Sequence, residues 1–134
     1  MPRALIDSNG LLDVFTRDET WFVWSSQALD AIAETHALVI NPIIYSEVSV
    51  EFNRIEELDE QLPASVFRRE PLPWHAGFLA GKAFTMYKRR GGVRRSPMPD
   101  FYIGAHAAVA EMTIVTRDPA NYRAYFPRVR IVAP

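Results

Sequence analysis

Four acidic residues carry the chemistry this sequence offers: Asp7, Glu47, Asp100 and Asp118. Asp7 follows Leu5-Ile6 and shortly precedes Leu11-Leu12, which places its carboxylate close to a core. Asp118 comes just after Ile114-Val115, and Asp100 leads the apolar series Phe101, Ile103, Ala105, Ala107 and Ala108. Carboxylates gathered at the rim of a core repel one another, and their pKa values rise. A hard dication removes that cost; Mg2+ and Mn2+ take one or two carboxylates and fill their remaining positions with water and substrate phosphate. Such an ion polarises a phosphoryl oxygen and acidifies bound water. An acid left uncoordinated can orient or deprotonate the attacking water. Singly, each acid has a structural explanation. An Asp after a strand caps a loop, an Asp in the first turn of a helix meets the macrodipole, and Glu47 suits a surface. Their convergence is what would make a metal the economical reading.

Convergence requires elements that bring distant residues together. Arg3-Ala4-Leu5-Ile6, Ala37-Leu38-Val39-Ile40, Thr113-Ile114-Val115-Thr116 and Val129-Arg130-Ile131-Val132 read as short apolar strands. Helices are expected from Ser8 or Asn9 to Phe15 and from Trp21 to Thr35, the latter with Trp21, Trp24, Leu29 and Ile32 facing inward. Asn41-Pro42 reads as an N-cap followed by proline in the first turn, opening a helix through Glu47 to about Asn53. Further helices are expected over Ile55–Leu62, over Trp74–Arg90 with Gly91-Gly92 as its stop, and over Asp100–Met112 behind Pro97 and Pro99. A helical turn is expected over Asn121–Tyr125. Strands of about four apolar residues separated by helices indicate an α/β fold, a central parallel sheet flanked by helices on both faces. Such sheets bind ligands beyond the carboxyl ends of their strands. Asp7 and Asp118 both lie just past a strand end, and so can share one edge.

The 134 residues, 49% of them hydrophobic, suit a single domain spanning 1–134 with a substantial core. No cysteine is present, which excludes disulfides, thiolate zinc sites and a cysteine nucleophile. His36, His75 and His106 are scattered, so zinc is not expected and each is read as structural. No signal peptide is visible after Met1-Pro2-Arg3, and no apolar run approaches the roughly 20 residues of a membrane span. The expectation is a soluble cytoplasmic protein.

The net charge of -1 conceals segregation. Residues 1–60 hold twelve acids and three basic residues; residues 61–134 hold four acids and twelve basic residues. Lys88-Arg89-Arg90-Gly91-Gly92-Val93-Arg94-Arg95 stands just before Pro99-Asp100. Arginine forks suit phosphate, and the glycines give the loop freedom. Arg89, Arg90, Arg94 and Arg95 are therefore candidate binders of a phosphate polyanion such as RNA, at the rim of an acidic pocket that would otherwise repel it. The structural alternative is a cation-favoured helix C-terminus and a solvated loop.

At these residues the sequence resembles PIN-domain ribonucleases, and among them the VapC toxins of toxin–antitoxin pairs. The resemblance is carried by Leu5-Ile6-Asp7-Ser8-Asn9-Gly10-Leu11-Leu12-Asp13, by Ser46-Glu47, by Pro99-Asp100-Phe101-Tyr102-Ile103-Gly104-Ala105-His106-Ala107, and by Thr116-Arg117-Asp118 with Tyr122 and Phe126 beyond. It implies a PIN-like fold and an endoribonuclease dependent on Mg2+, with Mn2+ able to substitute. It maps the family's acids onto Asp7, Glu47, Asp100 and Asp118, and implies a homodimer and a VapB-type antitoxin. Asp7, Asp100 and Asp118 are the expected metal ligands, Glu47 a water-mediated ligand or nucleophile-positioning group, and Ser8, Asn9 and Thr116 their hydrogen-bonding support. Ser8 stands where many relatives have threonine. Residues 55–97 match least.

Other folds gather acids at strand ends. A receiver-like phosphotransfer domain needs an adjacent acidic pair after its first strand and a lysine after its last; here Ser8 follows Asp7, and the last strand runs into Ala133-Pro134. A haloacid-dehalogenase-like phosphatase needs Asp-x-Asp, and Asn9 holds the second place. The remaining alternative is a catalytically silent PIN-like module that binds RNA or protein.

Overall fold

The computed structural model describes residues 1–134. Five strands and seven helices alternate: β1 (Arg3–Ile6), α1 (Ser8–Phe15), α2 (Phe22–Ala33), β2 (Ala37–Ile40), α3 (Pro42–Ser49), α4 (Ile55–Gln61), β3 (Phe67–Arg69), α5 (Trp74–Arg89), α6 (Pro99–Ala110), β4 (Thr113–Val115), α7 (Ala120–Tyr125) and β5 (Ile131–Val132). All five strands are parallel, in the order β3-β2-β1-β4-β5. The chain winds outward from β1 to β3 and then crosses to β4 and β5. With right-handed crossovers, this reversal puts α1–α4 on one face and α5–α7 on the other. α1 lies against α2 and α3, and α6 against α5 and α7, while α3 and α6 also meet.

Burial on both faces explains why the strands lack polar alternation. Ala4, Leu5, Ile6, Val39, Ile40 and Ile114 are essentially inaccessible. Under the other face lie Phe101, Ile103, Ala105 and Tyr122. Gly104 lets the buried Phe126 ring approach α6: a Cβ there would stand 2.3 Å from Cδ2 of Phe126. β3 lies in the stretch where the resemblance is weakest, and its sequence Phe-Arg-Arg conceals it. Only Phe67 is buried; Arg68 and Arg69 point outward from an edge strand, so no apolar run marks it. The structure also ends α3 at Ser49, before Asn53, and shortens the last strand to Ile131–Val132. No helix is long and apolar enough to cross a membrane.

Candidate active site

The strand order reverses between β1 and β4, and the crevice beyond that point is where such sheets accept ligands. Asp7 leaves β1 there. Its backbone N–H still bonds Val115 O of β4 at 3.0 Å, while its side chain caps α1 by accepting from Ser8 N at 2.8 Å. Oδ2 of Asp7 also accepts from Thr116 Oγ1 and from the Tyr122 hydroxyl, each at 2.8 Å, and more weakly from Asn9 Nδ2 at 3.4 Å. Asp7 is only 4% exposed. Burial pushes its carboxyl above the usual range; the Thr116 and Tyr122 hydroxyls pull it back, and the charge of Asp100 raises it again.

Glu47 comes from α3, which is started by Asn41: its Oδ1 accepts from Ile44 N at 2.9 Å and Pro42 takes the first turn. Ser8 donates its hydroxyl to Glu47 Oε1 at 3.0 Å, so one residue braces two acids, one through its backbone and one through its side chain. Burial raises the Glu47 carboxyl, the Ser8 hydroxyl opposes this, and the charges of Asp7 and Asp100 add to it. Asp100, in the first turn of α6, accepts from Asn121 Nδ2 at 2.9 Å. The structure therefore brings Asp7, Glu47 and Asp100 within electrostatic reach of one another. Asp118 is at the rim. Its backbone N–H bonds Thr116 Oγ1 at 3.1 Å, one hydroxyl away from Asp7, but its side chain is exposed and its charge is not among those that shift Asp7 or Glu47.

No lysine or arginine pairs with any of these four acids; every ion pair of the molecule lies elsewhere. The site is a cluster of carboxylates whose negative charge no cation of the protein compensates. The carboxylates do not converge into a complete metal cage of three or more protein ligands. Asp7, Glu47 and Asp100 are each hydrogen-bonded to a different partner: Tyr122, Ser8 and Asn121. The donor chemistry nonetheless fits a hard cation that keeps most of its water and takes one or two carboxylates.

Sequence reasoning assigned no site role to Tyr122 or Asn121. Both lie on α7, and their signal was position: they follow Asp118 by four and three residues, so a helix starting after Pro119 turns them back to the sheet edge. Burial, and then the surrounding negative charge of Asp7 and Asp100, pushes the Tyr122 hydroxyl well above its ordinary pKa, so it remains a donor to Asp7. His106 is also accounted for: it is buried, its Nδ1 faces Asn41 Nδ2 at 3.1 Å, and burial holds it below the usual pKa.

The candidate RNA-binding arginines, Arg89, Arg90, Arg94 and Arg95, are all exposed at the end of α5 and in the loop beyond it. Gly91 takes φ 89°, and the chain folds back so that Val93 N and Arg94 N donate to the Tyr87 hydroxyl at 3.2 and 3.3 Å. Gly92 is needed for this: a Cβ there would lie 2.2 Å from the Tyr87 ring. The glycines thus shape a defined turn. Arg90 is already engaged, with its guanidinium 4.9 Å from the Tyr125 ring centroid and Nη1 donating to Ala124 O at 3.4 Å.

The sequence matches the PIN domain family over residues 4–127. The chain belongs to that family. No curated protein matches it. Solved structures with the same fold include a chain of VapBC2 from Rickettsia felis bound to a DNA fragment from its promoter, 15% identical, covering 98% of each chain with a TM-score of 0.74. A chain of FitAcB from Neisseria gonorrhoeae is 20% identical, with 96% of this chain and 95% of that one covered and a TM-score of 0.67. A toxin–antitoxin complex from Klebsiella pneumoniae contributes a chain 22% identical, with 96% and 95% covered and a TM-score of 0.65. At such identities the likeness is one of fold.

Proposed function

We propose that this PIN-domain protein is a divalent-metal-dependent endoribonuclease acting as the VapC-type toxin of a toxin–antitoxin pair. Membership of the PIN family supports a nuclease. One observation carries the metal: Asp7 is buried and Glu47 half-buried beside Asp100, with no cation of the protein's own to neutralise them. When bound, Mg2+ or Mn2+ would supply Lewis-acid polarisation of phosphate and an acidified water. Asp7 and Asp100 would hold it directly, and Asp118, from the rim, directly or through water. Ser8, Asn9 and Thr116 fix the Asp7 carboxylate by hydrogen bonds to its oxygens. Glu47, anchored by the Ser8 hydroxyl, would bind the metal through water or orient or take a proton from the attacking water. Arg89, Arg94 and Arg95 would hold RNA phosphates near the acidic cluster, with Arg90 contributing from its position over the Tyr125 ring.

The solved structures that share this fold include a toxin–antitoxin complex from Klebsiella pneumoniae, which supports a VapB-type antitoxin as partner. A homodimer is supported by apolar side chains left in solvent: on α5, Trp74 is 95% and Phe78 69% exposed, one turn apart. Purified protein incubated with total RNA should cut it in the presence of Mg2+ or Mn2+ and stop when the metal is chelated; sequencing of the new RNA ends gives the target. RNA binding without cleavage under any divalent ion would replace this proposal with the silent binding module.

A further inference from the structure

We infer that Arg117 is a positioning residue whose ion pair with Asp13 fixes the loop that brings Thr116 to Asp7 and holds Asp118 at the rim of the site. This rests on the nuclease reading above for its functional consequence, though the geometry stands by itself. The segment from Thr116 to Pro119 joins β4 to α7 with no regular structure. Arg117 anchors it at two points. Its Nε donates to Asp13 Oδ2 at 2.8 Å, and its backbone N–H donates to Asn9 Oδ1 at 3.3 Å. Asn9 in turn donates to Thr116 Oγ1 at 3.0 Å, and Thr116 donates to Asp7. Asp13 is itself fixed: Ser25 of α2 donates to the same Oδ2 at 2.8 Å, and the side chain is 3% exposed. The Arg117 guanidinium lies over Trp21, 5.6 Å from the ring centroid.

A buried carboxylate in the last turn of α1 is an expensive way to gain stability, because desolvation consumes much of what the pair returns. What the pair does supply is a reference point. Asp7 caps the start of α1 and Asp13 lies near its end. Tying Arg117 to Asp13 therefore registers the Asp118 loop against the same rigid helix that orients Asp7. Arg117 touches none of the other acids, so its effect passes through Asn9, Thr116 and the loop backbone.

Two variants test this. In D13N/R117M both charges are removed together, so neither is stranded in the interior; R117K keeps the charge but loses the Nε donor and the planar stack on Trp21. Both should fold, with β1 and β4 amides protected from hydrogen exchange as in the wild type. The Arg117 and Asp118 amides should exchange at least about tenfold faster, and Mn2+ binding to the protein alone, measured by titration calorimetry, should weaken roughly 10- to 100-fold. In RNA cleavage kcat should fall with KM nearly constant, and R117K should be less impaired than D13N/R117M. Wild-type exchange at residues 117 and 118 together with wild-type Mn2+ affinity, in either variant, overturns the inference. If the wild-type protein neither binds Mn2+ nor cuts RNA, the nuclease reading falls, while the exchange measurement still decides whether the tether holds the loop.

Discussion

The hydroxyl of Tyr122 donates to Oδ2 of Asp7 across 2.8 Å, joining a residue of α7 to the end of β1 in the least accessible part of the site. This bond favours the ionised form of a carboxyl whose pKa burial raises. Tyr122→Phe removes the donor without opening a cavity. Asp7 should then become harder to ionise. The acid limb of the pH–rate profile for metal-dependent cleavage should move to higher pH, and stability at neutral pH should fall by about 1–3 kcal/mol, the usual cost of removing a hydrogen bond to a charged group. A pH profile identical to wild type would deny Tyr122 this role.

Asp7→Asn separates stability from activity. The folded-state pKa of Asp7 is raised, so the favourable contribution of its protonated form is fully present below the unfolded pKa and is lost as pH rises through the folded value. At neutral pH the wild type therefore carries a penalty that asparagine lacks. The variant should lose metal-dependent cleavage and yet melt a few degrees higher at pH 7, the shift that ~1 kcal/mol produces in a domain of this length. Near pH 3 the two proteins should melt together. A lower Tm at neutral pH would mean that hydrogen-bond geometry outweighs the buried charge.

The arginines beyond α5 should act mainly through phosphate charge. R89A/R94A/R95A spares Arg90, whose stacking on Tyr125 supports the fold. This variant should bind single-stranded RNA more weakly, and the slope of log affinity against log salt should drop by about 2, at roughly 0.7 for each phosphate no longer neutralised. Filter binding across a salt series measures both quantities. An unchanged slope assigns RNA binding to another surface.

Gly104→Ala tests the packing of α7 against α6. The new methyl group would overlap the Phe126 ring, which is 5% exposed and has little room to retreat. Overpacking costs about 1–3 kcal/mol and outweighs the ~1 kcal/mol gained from alanine's helix propensity. Chemical denaturation should show a net loss on the order of 1 kcal/mol. Because α7 carries Asn121 and Tyr122, cleavage should fall as well.

Local sequence was sufficient for the elements that bury a continuous apolar run or carry a terminal signal. β1, β2 and β4 are runs of mostly Ala, Leu, Ile and Val, and Asn41-Pro42 and Pro99-Asp100 mark helix starts, because covered parallel strands must be apolar and caps have few chemical solutions. The acids were legible for the same reason: a carboxylate beside a core run is out of place unless something there uses it. β3 was not legible, since an edge strand with two outward arginines has no signature of its own. Tertiary structure decided the rest. The order β3-β2-β1-β4-β5 put the switch point between Asp7 and the β4 loop, a matter of crossover direction that local residues do not encode. Packing selected Tyr122 and Asn121 as partners of Asp7 and Asp100, tied Arg117 to a buried Asp13 at the far end of the sequence, and left Asp118 at the rim while drawing Glu47 inward. Those relationships depend on which side chains meet across elements, and such meetings exist only once the sheet has closed around its core.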